Sequence, residues 1–163
     1  MKTRTLVVTF FFLSTLVPVV CWGVADQVAD SNAKGASASR TLNTALFVYA
    51  KTYSKGFPAS LSPLGPPPAE SKKPSENGAD LVVKELAAGE FNGYVFTYTP
   101  KEKNSAGQFT KYTIVARPQK WQEGAWSYFT DQSAAIHWTD QNRVPNEKDP
   151  VLSNRGTKSQ VKQ

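Results

Sequence analysis

His137 is the only histidine in the chain, and it is the side chain best suited to acid–base chemistry near neutral pH. Ser133 and Asp131 lie a few residues before it, so the three members of a serine-hydrolase relay occur in one short stretch. The stretch shows neither the exposed elbow of a nucleophilic serine nor a donor set for an oxyanion. A single histidine on a strand is usually a packing or surface residue. The sequence therefore predicts no catalytic residue and a chain that is not an enzyme.

A metal or cofactor site has as little support. Cys21 is the only cysteine, so a metal site would have to be built mainly from carboxylates. No dense run of aspartate and asparagine is present, and the glycine-rich loops that bind phosphate groups are missing. We predict neither a metal nor a cofactor.

Aromatic residues interleaved with basic ones are a second source of possible chemistry, because rings and cations together bind single-stranded nucleic acids or glycans. Trp121 follows Lys120 and lies close to Arg117, in a predicted loop. These three residues are the candidate contact surface for an extracellular polymer. The alternation of the neighbouring strands assigns most other aromatic residues to the core. Those residues are Tyr94, Phe96, Tyr98, Trp126, Tyr128 and Trp138.

One predicted helix organises the chain around these residues. Across residues 37–53, Leu42, Leu46, Tyr49 and Tyr53 recur at helical spacing, and Ala45 widens the apolar stripe. The helix end is marked by a glycine and a proline, at positions 56 and 58. The helix start has three candidate N-caps, Asp30, Ser31 and Asn32, which predict a beginning near residue 33.

The segment after the helix is irregular across residues 59–78, because its prolines forbid helix and central strand. We expect Leu61 and Leu64 to pin it to the core. Residues 79–89 then predict a short second helix that ends at a glycine.

From residue 93 the apolar period changes to two, which is typical of strands. We predict four strands, at residues 94–99, 111–117, 125–130 and 135–138. Their short connections favour an antiparallel meander. The fold class is therefore α+β, with a long N-terminal helix packed on a four-stranded antiparallel meander sheet.

The N-terminus has the features of a secretory signal peptide. A short basic start is followed by an apolar run at residues 6–20, and Gly23 and Ala25 supply small residues at the cleavage positions. We predict a signal peptide at residues 1–25 and a secreted or periplasmic product. The alternative is a membrane tether, through residues 6–20 or through a lipidated Cys21, although Val20 is a poor residue before a lipidated cysteine.

The mature chain has modest charge. Without Lys2 and Arg4, 17 basic residues face 13 acidic ones, which is not a nucleic-acid signature. Residues 139–163 hold few large apolar side chains, so we predict a disordered, polar C-terminal tail. The domain boundaries are then 1–25 for the signal peptide, 26–138 for the folded domain and 139–163 for the tail.

Several short runs lie in the helix, in the proline-rich segment and in the strands. No single run is diagnostic of a family, but their order and spacing are specific when taken together. The runs are residues 39–45, 56–58, 61–66, 93–100, 112–118 and 128–133, with Tyr49 and Tyr53 on the helix. Together they resemble the globular part of bacterial type IV pilin-like proteins and pseudopilins, over residues 31–138. The resemblance implies the pilin fold, in which a helix packs on an antiparallel sheet.

The chain also departs from that family. An assembling pilin has a basic leader ending in glycine, then phenylalanine and, shortly after, glutamate at the start of a long apolar helix. Here Val24 follows Gly23, and the apolar run comes before the glycine. Ala134 replaces the glycine of the family's Asp-x-Ser-Gly turn, and the paired cysteines of many major pilins are absent. Some pseudopilins bind calcium late in the sheet, where this chain has Asp131 and Asp140, too few ligands for that ion.

The resemblance and the departures lead to one functional expectation. The chain is expected to be an exported, non-enzymatic pilin-like domain without the usual prepilin N-terminus. It would act through protein contacts in the cell envelope or in an assembly related to type IV pili or secretion, with no membrane span in the mature chain. The alternative is an extracellular module that binds DNA or glycan through Trp121, Lys120 and Arg117.

Overall fold

A computed structural model describes residues 23–71 and 73–153. The chain has α+β content, with one long helix packed on one face of a five-stranded antiparallel sheet. The predicted signal peptide and Cys21 lie outside the described residues, apart from the last three positions, 23–25. No helix within the described residues is long and apolar enough to span a membrane.

Helix α1 runs from Gly23 to Tyr53, so it starts well before the predicted residue 33. The buried stripe is confirmed, since Leu42 and Leu46 are inaccessible, Ala45 and Tyr49 are buried, and Tyr53 is half-buried. The extra N-terminal turns are not an apolar rod: among residues 25–31 only Val28 is buried, and the residues beside it are exposed. At the end of this segment the Asn32 side chain bonds to Gly124 and Trp126 instead of capping the helix.

The end of α1 follows the predicted chemistry. Gly56 has a φ of 72°, a left-handed conformation that glycine adopts without strain. Phe57 then folds back on the core, with its ring 4.7 Å from that of Tyr112 and 5.7 Å from that of Phe47. Leu61 and Leu64 are both buried, so they do pin the proline-rich segment.

The second helix is much shorter than predicted. Helix α2 comprises only Lys84–Ala87, and a 3₁₀ turn at Ser62–Leu64 packs beside it. The chain before α2 is held by hydrogen bonds to the carbonyl oxygens of residues 63–65 rather than by helical ones. Val82 and Leu86 still point inwards, as their spacing indicated.

The sheet has the strands in sequence order, with one more than predicted. The strands are β1 (Glu90–Phe91), β2 (Tyr94–Lys103), β3 (Phe109–Pro118), β4 (Ser127–Asp131) and β5 (Ile136–Thr139). The prediction of four strands was wrong because β1 has two residues, too few to show a period of two. Every neighbouring pair is antiparallel, so the predicted meander order is retained.

The inner face of the sheet carries the core. Tyr94, Phe96, Tyr112, Ile114 and Tyr128 are buried under α1. The alternate residues form the outer face, where Arg117 pairs with Val95 and Phe129 pairs with His137. The strand faces predicted from alternation are therefore correct.

The segment 140–153, which we call the C-terminal strap, returns to the sheet. The expected disorder from residue 139 does not hold for these residues, because Leu152 donates its N–H to the carbonyl of Ile136 at 2.6 Å and Pro145 is buried. Val151 also forms a bridge with His137, next to β5. Residues 154–163 of the predicted tail lie outside the described part.

Candidate functional site

The side chains of the possible serine-hydrolase relay are each bonded to a backbone group instead of to one another's side chains. His137 Nδ1 lies 2.6 Å from the carbonyl oxygen of Asp149, and since a carbonyl only accepts, Nδ1 carries a proton. Asp131 Oδ1 accepts from the N–H of Ser133 at 2.8 Å, and Ser133 Oγ accepts from the N–H of Ala135 at 3.2 Å. These bonds shape the β4–β5 turn and the strap, and they form no relay.

The candidate metal ligands are likewise not gathered. Asp131 serves the turn, and Asp140 is exposed at the start of the strap. Within residues 23–71 and 73–153, no group of three or more histidine, cysteine, aspartate or glutamate side chains is placed to hold a metal ion.

The candidate polymer-binding residues lie on different sides of the sheet. Arg117 is on the outer face, where it donates to Asn142 Oδ1 at 2.9 Å. Lys120 borders a cavity of about 380 Å³ that also touches Val28 and Ser31 of α1. Trp121 is 38% exposed in the loop. The structure thus leaves Trp121 and Lys120 as neighbours and separates Arg117 from them.

The remaining tryptophans are structural. Trp126 and Trp138 are partly buried and stack with ring centroids 4.1 Å apart and planes 29° apart. Both pack against the core on the inner face. The expectation that strand alternation accounts for most aromatic residues is confirmed.

Asn32 joins the first part of α1 to the loop before β4. Its Nδ2 donates to the carbonyl of Gly124 at 2.8 Å, and its Oδ1 accepts from the N–H of Trp126 at 2.9 Å. The Tyr94 hydroxyl, whose single hydrogen is shared between two acceptors, lies 3.2 Å from the same Oδ1 and 2.9 Å from the carbonyl of Trp126. The backbone carbonyl of Asn32 accepts from the Tyr128 hydroxyl at 2.6 Å. From the sequence, Asn32 is a candidate N-cap. An asparagine before an apolar stripe gives the same pattern whether it caps the helix or bonds to a distant loop.

Asn43 makes a second such node three turns along the same helix. Its Nδ2 donates to Thr130 Oγ1 at 2.8 Å, and its Oδ1 accepts from the Tyr112 hydroxyl at 3.0 Å. All three side chains are buried. The sequence contains a signal for this node, because an asparagine at an otherwise apolar helix position implies a hydrogen-bond partner in the core.

Burial shifts the titration of the tyrosines that take part. Removal from water raises the pKa of Tyr94 to about 12 and also raises the pKa of Tyr112 and Tyr128. Their hydroxyls therefore remain donors at neutral pH, which the two asparagine nodes require.

The strap is held by an ion pair. Asp149 is buried, and its carboxylate accepts from both terminal nitrogens of Arg143 and, at 2.8 Å, from the N–H of Asn146. The hydrogen bond from Arg143 is the main reason that the pKa of Asp149 is lowered. The carboxylate fixes the strap so that the Asp149 carbonyl meets His137.

A groove of about 470 Å³ lies beside α1, away from the histidine, the turn and the strap described so far. Comparison with protein-family models, with curated proteins and with solved structures found no match to this chain.

Proposed function

We propose that the chain is an exported, non-enzymatic pilin-like domain that works through protein contacts in the cell envelope or in a pilus- or secretion-related assembly. The observation that carries the proposal is a long helix fixed on an antiparallel sheet by two asparagine nodes, at Asn32 and Asn43, with its opposite face uncovered. A rigid body with one free helix face is suited to presenting a surface rather than to enclosing a substrate.

The resemblance over residues 31–138 supports the pilin-like assignment, and the helix-on-sheet arrangement is the one that the resemblance implies. The polar residues that might have formed a site support the non-enzymatic part. His137, Asp131 and Ser133 each serve a turn or the strap.

Export is tested by the N-terminus of the protein recovered from fractionated bacteria that express the tagged full chain. The proposal expects a chain that starts at Asp26 in the periplasm or the medium. A chain that keeps residues 1–25 in the membrane fraction would establish the tether instead, and a lipidated Cys21 would do the same.

Function is tested by isolating pilus and secretion assemblies from envelope extracts that contain the tagged chain. The proposal expects the chain to remain with such an assembly through a second, different purification step. A chain that elutes only as a free monomer would contradict it.

A second candidate is a module that binds DNA or glycan, and the exposure of Trp121 beside Lys120 favours it. It predicts retention on immobilised DNA or polysaccharide that weakens with salt and is lost in Trp121→Ala. Val95→Ala is the matched control, because Val95 is 39% exposed on the sheet. No retention at low salt would exclude this candidate.

A further inference from the structure

A groove of about 470 Å³ runs between α1 and the chain around α2. The α1 wall is lined by Lys34, Ser37, Ala38 and Thr41, and the other wall is mainly aliphatic and aromatic, with Asp80 and Asn92 as its polar members. Residues of that second wall are Leu81, Val82, Val83, Leu86 and Phe91. Val83 is 52% exposed, so its side chain is available for contact.

The helix wall is less polar than its sequence suggests. Thr41 donates its hydroxyl to the carbonyl of Ser37, and Thr44 donates to the carbonyl of Arg40, both at 3.1 Å. Each hydroxyl is therefore already paired, so that covering it costs little free energy of desolvation. With Val48, which is 41% exposed, these residues form one ridge at helical spacing that is effectively apolar.

The opposite wall is preformed. The N–H groups of Leu81 and Val82 both donate to the carbonyl of Leu64, at 2.9 and 3.1 Å, and Asp80 donates to Gly65 at 2.8 Å. Because these bonds fix the backbone, a partner need not order the wall when it binds.

On α1 the charges beside the ridge have one sign, whereas the exposed carboxylate of Asp80 lies on the far wall of the groove. Residues 31–53 contain three cations and no acidic residue. Lys34 pairs with Asp30 at 2.5 Å, whereas Arg40 and Lys51 have no carboxylate partner among the described residues. Two copies of the chain that met ridge to ridge would bring the Arg40 and Lys51 cations of both copies together, so the α1 ridge disfavours self-association.

We propose that the ridge Ser37–Thr41–Thr44–Val48 and the groove wall at Val83 bind an amphipathic helix of another protein, with carboxylates along the edge that faces Arg40 and Lys51. The apolar side of that helix fills the groove, and its acidic edge supplies the missing counter-charges. The inference rests on the proposed function, since it names the partner class of an interaction domain.

The test uses the purified chain and two synthetic amphipathic helical peptides with identical apolar faces, one edged with glutamate and one with lysine. Fluorescence anisotropy should show binding of the glutamate peptide that weakens as salt rises, and affinity for the lysine peptide lower by about tenfold or more. Equal affinities, or no binding of either peptide, would overturn the proposal.

Variants then locate the site. Val83→Asp should weaken binding of the glutamate peptide by about tenfold, whereas Val144→Asp, at a valine 58% exposed on the strap, should leave it unchanged. The double variant Arg40→Glu with Lys51→Glu, at two exposed positions, should reverse the preference in favour of the lysine peptide. Unchanged binding in Val83→Asp or an unreversed preference would place the peptide elsewhere and overturn the proposal.

The last experiment measures the oligomeric state of the chain alone by sedimentation. A monomer is expected, and a dimer that Thr41→Glu dissociates would make a second copy the occupant and overturn the inference. Peptide binding and envelope fractionation are independent measurements. Failure of the peptide arm therefore rejects this partner class, while failure of export or of assembly retention rejects the proposed function.

Discussion

At the scale of single residues, the fold depends on polar side chains that look unremarkable in the sequence. Asn32 and Asn43 lie on the same side of α1 and meet hydroxyl groups of the sheet. Buried polar groups are costly unless they are paired, so a matched set of donors and acceptors fixes the helix in one position along the sheet. A purely apolar contact would tolerate sliding more easily.

Asn43→Ala is expected to lower the free energy of unfolding by about 2–4 kcal/mol, because it leaves two buried hydroxyls, on Tyr112 and Thr130, without a partner. Denaturant titration measures the change. Thr44→Ala is the control, since that hydroxyl is exposed and bonds only within the helix. In a double-mutant cycle, Tyr112→Phe should cost less in the Asn43→Ala background than in the native chain, and additive effects would contradict the node.

Ala134→Gly is expected to stabilise the protein. Ala134 has a φ of 61°, a conformation that costs a non-glycine residue about 1–2 kcal/mol, and its N–H closes the turn on the carbonyl of Asp131 at 2.9 Å. After the added chain entropy of glycine, a gain of about 0.5–1 kcal/mol remains. Thermal unfolding should show a higher Tm, and Ala135→Gly, at the next position, should lower it. A lower Tm in Ala134→Gly would show that the turn is not strained.

At the scale of elements, the decisive contacts are those between α1 and its neighbours. Gly35 lies under the ring of Tyr94, and a Cβ at that position would be 2.6 Å from Cζ of the ring. A glycine inside a helix normally weakens it. The structure adds the compensating reason, which is that this glycine lets the helix approach the sheet closely.

Gly35→Ala therefore tests which effect is larger. Helix propensity alone predicts a gain of about 1 kcal/mol, whereas overpacking against a tyrosine whose hydroxyl is held at Trp126 predicts a loss of about 1–3 kcal/mol. We expect a net loss in denaturant titration. Ala33→Gly, at an exposed helix position, gives the propensity effect alone, and stabilisation by Gly35→Ala would contradict the close approach.

The strap is expected to loosen in acid. The pKa of Asp149 is lowered in the fold, so its carboxylate contributes stability above the unfolded-state pKa of about 4, and this contribution is lost as the pH falls through the lower folded-state value. Asp149→Asn should reduce the Tm at neutral pH and flatten the acid limb of the Tm–pH curve. Asp140→Asn, at an exposed strap position, is the control, and an unchanged acid limb in Asp149→Asn would exclude the ion pair as the cause.

Periodicity predicted the parts of the fold that rest on repeated apolar positions, namely the stripe of α1 and the faces of β2 and β3. It failed where side-chain contacts that leave no periodic pattern decide the structure. The helix does not begin after Asn32, as predicted, because the Asn32 side chain bonds to Gly124 and Trp126 instead of capping the helix. The strap is polar, yet Arg143 and Asp149 satisfy each other and hold it in place. Neither pairing leaves a local pattern.

At the scale of the whole molecule, the charge is distributed unevenly. The chain has a net charge of +6, but the described residues contain 13 basic and 13 acidic side chains. The excess is carried by Lys2, Arg4, Lys72, Arg155, Lys158 and Lys162. Attraction to polyanions would therefore come mainly from positions outside the described ranges rather than from the helix-and-sheet body.

Cation-exchange chromatography tests this distribution. Replacing Arg155, Lys158 and Lys162 together by glutamine should lower the salt concentration needed for elution more than the matched triple Lys101→Gln, Lys103→Gln and Lys120→Gln does. The reason is that the second set leaves the excess of charge at the end of the chain intact. Equal shifts for the two triples would contradict the expectation.

The asparagine nodes also decide when the protein is able to fold. The hydrogen-bond partners of Asn32 lie 62 to 96 residues later in the chain, and those of Asn43 lie 69 and 87 residues later. Contacts of such separation slow folding, because a large loop must close before they form. The helix emerges first from the ribosome but is locked last, after β4 has been made. Under the proposed export, this order would keep the chain unfolded for longer, and an unfolded chain is the form that crosses a membrane.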